Sequence, residues 1–437
     1  MTEMETRTWL GWDRAHVWHP YTQMQLAPEA VGVSRAKGSY LYLADGRRVL
    51  DAISSWWLTL HGHCHPRIAE AIANQAASLE QVIFAGFTHQ PASQLAKQLV
   101  EISPAGLEKV FYSDNGSTAV EVALKMCIQY WKHRGESRRT FLALEHAYHG
   151  DTFGAMSVSA ESAFTRPFSD HLFHVKRLPF PAPSLEASDA FSPTETQFLS
   201  ELRAACATND IAGFIYEPLL LGAGGMLMWR PEILTEALRI TQEFEILTIA
   251  DEVLTGFGRT GSMFASDKVA LTPDLMTLSK GLTGGFLPMG VTLTSQKIFD
   301  AFLSDDRSRT FFHGHSYTAN PISCAAALAS LAVFKEEPVW ERIKTIETSH
   351  DELGPALVER HSLHFRKIGT IAAFEPAMSK GYLGGNALQF SARALAAGLV
   401  VRPLGDVIYL LPPYSTTADD LVFAFDVLDS ILTTGNR

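Results

Sequence analysis

Residues 246–290, ILTIADEVLTGFGRTGSMFASDKVALTPDLMTLSKGLTGGFLPMG, constrain this chain more than any other stretch. The run Ile246 to Ala250 is short, rich in β-branched residues and continuously apolar, the pattern of a strand buried on both faces of a parallel sheet. It stops at two carboxylates, Asp251 and Glu252. A second apolar run, Leu275 to Leu278, leads into Ser-Lys280-Gly and then Thr283-Gly284-Gly285. In open α/β sheets ligands lie beyond the carboxyl ends of the strands, so Asp251 and Lys280 are predicted to face one crevice.

A lysine opposite a carboxylate in such a crevice suits pyridoxal 5′-phosphate. The amine holds the cofactor as a Schiff base, and the carboxylate keeps the pyridine nitrogen protonated so that the ring accepts electrons. Taken singly, each residue has a plainer use, Asp251 as a helix cap and Lys280 as a solvated charge.

At 437 residues the chain exceeds one compact core, and a large domain with a smaller one is expected. Its four cysteines, Cys64, Cys127, Cys206 and Cys324, lie far apart without a CxxC spacing, which favours a reducing compartment and a cytoplasmic enzyme. Residues 1–20 lack the apolar core of a signal peptide, and no run reaches transmembrane length. A net charge of −11 argues against a nucleic-acid partner, because that binding needs clustered Lys and Arg.

Before the central stretch, Ser39 to Leu50 alternates around Asp45-Gly46 and reads as a β-hairpin. Trp56 and Trp57 follow. On an extended backbone they point to opposite sides, so one is expected to face a cavity, though two packing aromatics fit as well. His61, His63 and His65 with Cys64 lack a second ligand cluster, and no metal site is expected. Helical periodicity covers 67–80 and 91–102.

Leu107 to Tyr112 reads as a strand, and Gly116-Ser117-Thr118 opens a helix over Ala119 to Trp131. Such a turn offers free N–H groups to an anion such as a cofactor phosphate, and it equally suits ordinary N-capping. The strand Thr140 to Leu144 ends at His146-Ala-Tyr148-His149-Gly150-Asp151, where Tyr148 is placed to lie against a ligand ring. Residues 160–200, broken by Pro179, Pro181, Pro183 and Pro193, read as a surface insertion. Ile211 to Tyr216 is a further strand, ending on Glu217, and a helix is expected over Ile322 to Lys335.

The Asp-Glu pair, Gly-Phe-Gly-Arg-Thr-Gly and Ser-Lys-Gly, in this order, resemble the signature of the class III, fold-type I aminotransferases. The likeness runs from about residue 16 to residue 414. It implies an α/β fold: a large domain with a mostly parallel sheet, and a small α+β domain built from both termini. The boundaries expected are 1–60 and 331–437 for the small domain and 61–330 for the large one. By the same likeness Lys280 binds the cofactor and shuttles the proton, Asp251 pairs with the ring nitrogen, Glu217 orders the site, and Tyr148 stacks on the ring. Gly116 and Ser117 hold the phosphate, completed in a homodimer by Gly314, His315 and Ser316 of the second subunit.

Trp18-His-Pro-Tyr21, Ser54-Ser-Trp56-Trp57, Gly150-Asp151-Thr-Phe-Gly, Arg402-Pro and Tyr409-Leu-Leu-Pro-Pro-Tyr414 narrow the likeness to the branch that aminates 8-amino-7-oxononanoate in biotin biosynthesis. Tyr21, Trp56, Trp57, Asp151, Arg402 and Tyr409 match its substrate pocket. S-adenosylmethionine is the expected donor, in line with Trp56-Trp57. His313-Gly-His-Ser316 resembles relatives that use lysine. A broader ω-aminotransferase or an aminomutase would share Lys280 and Asp251.

Overall fold

The run around Ile249 forms the strand Leu247–Asp251, buried along its whole length, at the centre of a seven-stranded sheet. The structure, a computed structural model, describes residues 3–184, 190–376 and 386–435. The strand order is Leu107–Ser113, Gly290–Ser295, Leu275–Leu278, Leu247–Asp251, Ile211–Tyr216, Thr140–Leu144 and Val175–Leu178. Only Gly290–Ser295 runs against its neighbours, so the sheet is mostly parallel, as expected.

Helices cover both faces, which explains why the strands are apolar without alternation. Val120, Ala123 and Cys127 of the helix Gly116–His133 pack on Phe141, Ile215 and Ile249. On the other face Phe198, Leu202, Ile233 and Leu234 close over Leu142, Phe214 and Tyr216. Each such side chain contributes about 1.5–3 kcal/mol by leaving water.

Strands from both ends of the chain meet in a second sheet, where Leu399–Val400 pairs in parallel with Arg48–Asp51 of the Asp45-Gly46 hairpin. A third sheet joins Leu363–Ile368, Ile371–Pro376 and Ile408–Leu410. Leu50, Leu399, Phe374, Leu410 and Leu428 form one core beneath them.

Two expectations are corrected. Residues 160–200 are not merely an insertion. Val175–Leu178 is the edge strand of the large sheet, and a helix begins at Pro193, where proline costs nothing because that N–H is unpaired in any helix. Residues 185–189 of that span lie outside the described ones, as do 377–385 of the C-terminal segment. The backbone at Trp56-Trp57 is not extended either. It is a kinked turn, Ser54–Trp57, in which Ser54, Ser55 and Trp57 have φ of 51°, 59° and 68°.

The histidine comb is dispersed among separate partners. His61 meets Ser330 at 3.1 Å, His63 meets Asp51 at 2.8 Å and His65 meets Glu337 at 3.0 Å. Among the described residues no cluster is placed to hold a metal ion, and no helix is long and apolar enough to cross a membrane.

Candidate active site

Five strands of the large sheet end at one cavity of about 690 Å³. After Leu107–Ser113 come Asp114, Asn115, Gly116 and Ser117; after Thr140–Leu144, Tyr148 to Asp151; after Ile211–Tyr216, Glu217. Asp251 closes its own strand, and Lys280 follows Leu275–Leu278. All of these residues line the cavity.

Asn115 starts the helix with a reciprocal cap: its side chain accepts from Thr118 N at 3.0 Å, and Thr118 Oγ1 accepts from Asn115 N at 3.1 Å. Such a cap is worth about 1 kcal/mol. It begins the helix at Gly116, three residues earlier than expected, and leaves the first-turn N–H groups facing the cavity. Gly116 has to be small, since a Cβ there would come within 2.8 Å of Val253. Ser117 Oγ accepts from Asp151 N at 3.2 Å, which ties this turn to the one after Tyr148.

Lys280 is half-buried and has φ of 40°, a conformation that side chains rarely adopt and that concentrates at functional sites. Its amine lies 4.9 Å from the centre of the Trp57 ring. Among the described residues nothing lies within hydrogen-bonding distance of that amine. Burial lowers its pKa from the usual lysine value, while Asp251 and Glu217 pull it back up and Arg259 pushes it down.

Asp251 accepts from Val253 N at 3.1 Å and Thr277 Oγ1 at 3.3 Å, and its other oxygen lies 2.7 Å from His149 Nδ1. Glu217 accepts from Tyr148 N at 3.0 Å and Gly222 N at 2.9 Å. Burial raises its pKa to about 7, with His149 opposing and the Asp251 charge adding. Tyr148 is held well above the ordinary tyrosine value, first by burial and then by its hydrogen bond with Tyr21.

Of the residues expected in a substrate pocket, Trp57 and Asp151 line the cavity itself. Tyr21, Trp56 and Arg402 form a layer outside it. The Tyr21 ring lies 5.6 Å from Trp56, its hydroxyl reaches Tyr148 and Asp151, and Arg402 Cζ sits 4.9 Å from the Trp56 ring. Tyr409 stands behind, accepting from Trp57 Nε1 at 2.9 Å. Gly314, His315 and Ser316 do not line the cavity of their own chain; they belong to the turn before the helix Pro321–Glu336.

His149 was not singled out from the sequence. Its signal is its place beside Tyr148 in the segment that follows the carboxyl end of the strand Thr140–Leu144, where ligand-facing residues of such sheets gather. Its Nε2 is buried without a hydrogen-bond partner.

These groups fit pyridoxal 5′-phosphate: an uncommitted amine for a carbonyl, a buried carboxylate for a cationic ring nitrogen, an aromatic for the ring and a helix start for the phosphate.

The family model for aminotransferase class III matches residues 22–432. An adenosylmethionine-8-amino-7-oxononanoate aminotransferase from Synechococcus elongatus is 48% identical, over 95% of this chain and 99% of its own. One of the same name from Geobacter sulfurreducens is 39% identical, with 99% of both chains covered. Among solved structures, the adenosylmethionine-8-amino-7-oxononanoate aminotransferase of Methanocaldococcus jannaschii superposes with a TM-score of 0.92 at 35% identity, over 98% of this chain and 99% of that one. A PLP-bound amine transaminase from an uncultivated Pseudomonas species gives 0.88 at 31% identity, over 96% and 98%.

Proposed function

The chain belongs to the class III aminotransferases, and from that premise we propose that it carries the amino group of S-adenosylmethionine to 8-amino-7-oxononanoate, forming 7,8-diaminononanoate in biotin biosynthesis. It is a pyridoxal-phosphate-dependent enzyme. One observation carries the chemistry: a half-buried amine without a hydrogen bond, Lys280, at the end of one strand, beside the carboxylate that ends the next. The substrates come from the names of relatives that match along nearly the whole chain.

When bound, the cofactor supplies a carbonyl for an amine to attack and a ring that accepts an electron pair. Lys280 would hold that carbonyl carbon, Gly116 and Ser117 the phosphate, and Tyr148 a ring face. Asp251, fixed by His149, Thr277 and Val253, would keep a proton at the ring nitrogen. Burial holds the Lys280 amine towards its neutral form, so it would serve as the base that takes the proton from the substrate's amine-bearing carbon. Glu217 holds the turns after Tyr148 and Gly222 through their N–H groups. Arg402 is suited to the acceptor's carboxylate because its guanidinium makes two parallel charge-assisted bonds.

The active unit is a cytoplasmic homodimer in which Gly314, His315 and Ser316 of a second copy complete the phosphate site. Phe312 and Tyr317, 74% and 66% exposed, flank that segment and suit an interface. Residues 61–330 act as the large domain, with 1–60 and 331–437 as the small one.

The test is a half-reaction. Cofactor-loaded protein is mixed separately with S-adenosylmethionine, lysine and ornithine, and the visible absorption of the cofactor is followed. Decay with S-adenosylmethionine, restored by 8-amino-7-oxononanoate, is the expected result. Decay with lysine alone changes the donor and keeps the acceptor. If ornithine alone reacts and 8-amino-7-oxononanoate restores nothing, the reading is wrong.

A further inference from the structure

The loop Gly256-Phe-Gly-Arg259-Thr-Gly261 carries one charged side chain, and it is 1% exposed. Arg259 Nη1 donates to Pro412 O at 2.8 Å, while Nη2 donates to Trp57 O at 3.3 Å and Thr59 O at 3.4 Å. Its Cζ sits 5.2 Å from the Tyr414 ring. Among the described residues no carboxylate lies within ion-pair distance, and Nε has no partner. Burying a cation on these terms is costly.

The carbonyl it holds belongs to the last residue of the turn Ser54–Trp57, three of whose four residues have positive φ. The first residue of that turn is held by Ser54 Oγ, which donates to Leu411 O at 2.8 Å, and the second by Asp51, which accepts from Ser55 N at 2.7 Å. A backbone so strained persists only where its surroundings over-determine it.

We propose that Arg259 is a positioning residue: its guanidinium clamps the carbonyl of Trp57 to that of Pro412, which fixes the strained turn and sets the indole against the Lys280 amine. The role in turnover rests on the reading of Lys280 as the reacting amine. The clamp itself does not.

Two variants test it in the cofactor-loaded enzyme. Arg259→Met removes every contact. Arg259→Lys keeps the charge and loses the fork that bridges two carbonyls. Amide hydrogen exchange over residues 54–60 should quicken about tenfold or more in Arg259→Lys, with Leu247–Asp251 unchanged. Unchanged exchange over 54–60 overturns the proposal, and so does a rise throughout the chain, which would make Arg259 a support of the fold alone.

The second arm is a double-mutant cycle with Trp57→Ala, read on the half-reaction with S-adenosylmethionine and, in parallel, with isopropylamine. Arg259→Lys should lower the rate about tenfold in the wild-type background and leave it unchanged where Trp57 is already absent. Additive losses overturn the proposal. Failure of S-adenosylmethionine with success of isopropylamine overturns the substrate reading and still measures the clamp.

Discussion

His149 Nδ1 lies 2.7 Å from Asp251 Oδ2, with both side chains closed off from solvent, although 102 residues separate them. The carboxylate proposed to pair with the cofactor nitrogen is therefore itself held from behind, and His149 is held in turn through its backbone N–H by Ser159 Oγ at 2.9 Å.

Replacing His149 by Asn should leave the fold and weaken the hold on Asp251. A hydrogen bond to a charged group is worth about 1.5–3 kcal/mol, so kcat/KM should fall about 10–100-fold and cofactor should leave faster on dialysis. Wild-type values for both would remove His149 from the site's machinery.

Among the described residues Lys280 is the only lysine that lines the cavity with Asp251, and Lys280→Ala removes its amine. Turnover should be abolished while thermal unfolding stays cooperative, since the lost side chain leaves no hydrogen bond behind it. Turnover within about tenfold of wild type would exclude Lys280 as the proton carrier.

Glu217 makes stability depend on pH in a defined direction. Burial raises its pKa from the ordinary 4.5 to about 7, so the folded protein holds this proton more tightly than the unfolded chain. The contribution is full below about pH 4.5 and is lost as the pH rises through about 7. Glu217→Gln should flatten the decline of unfolding free energy across that window by about 3 kcal/mol, read from denaturant titrations at several pH values. Glu252, also raised to about 7 by burial, keeps titrating and leaves a residual slope. An identical slope in the variant would mean that Glu217 carries no such proton.

Arg402 is exposed and rests on Trp56. If it receives the acceptor's carboxylate, Arg402→Ala should raise KM for 8-amino-7-oxononanoate about 10–100-fold with kcat nearly kept, and Arg402→Lys should recover part of the loss. A fall in kcat at constant KM would place Arg402 elsewhere in the reaction.

The sequence by itself determined the strands and what stands at their ends. A run such as Ile246 to Ala250 is apolar without alternation because both of its faces will be covered, and a lysine or carboxylate just beyond a strand needs no knowledge of the fold to be noticed. Tertiary structure decided which strand ends meet and which neighbour each side chain finds. Leu247–Asp251 lies beside Ile211–Tyr216, with Thr140–Leu144 next, and only this order brings His149 to Asp251 and Glu217 to Tyr148. The kink at Ser54–Trp57 buries Trp57 against Lys280 and leaves Trp56 outside, a choice made by Asp51, Arg259 and Leu411 rather than by the two tryptophans. Val175–Leu178 became a strand because an edge of the sheet was there to pair with, whatever the prolines around it suggested. Local pattern follows from a residue and its near neighbours; a contact across 102 residues follows from how the whole chain packs.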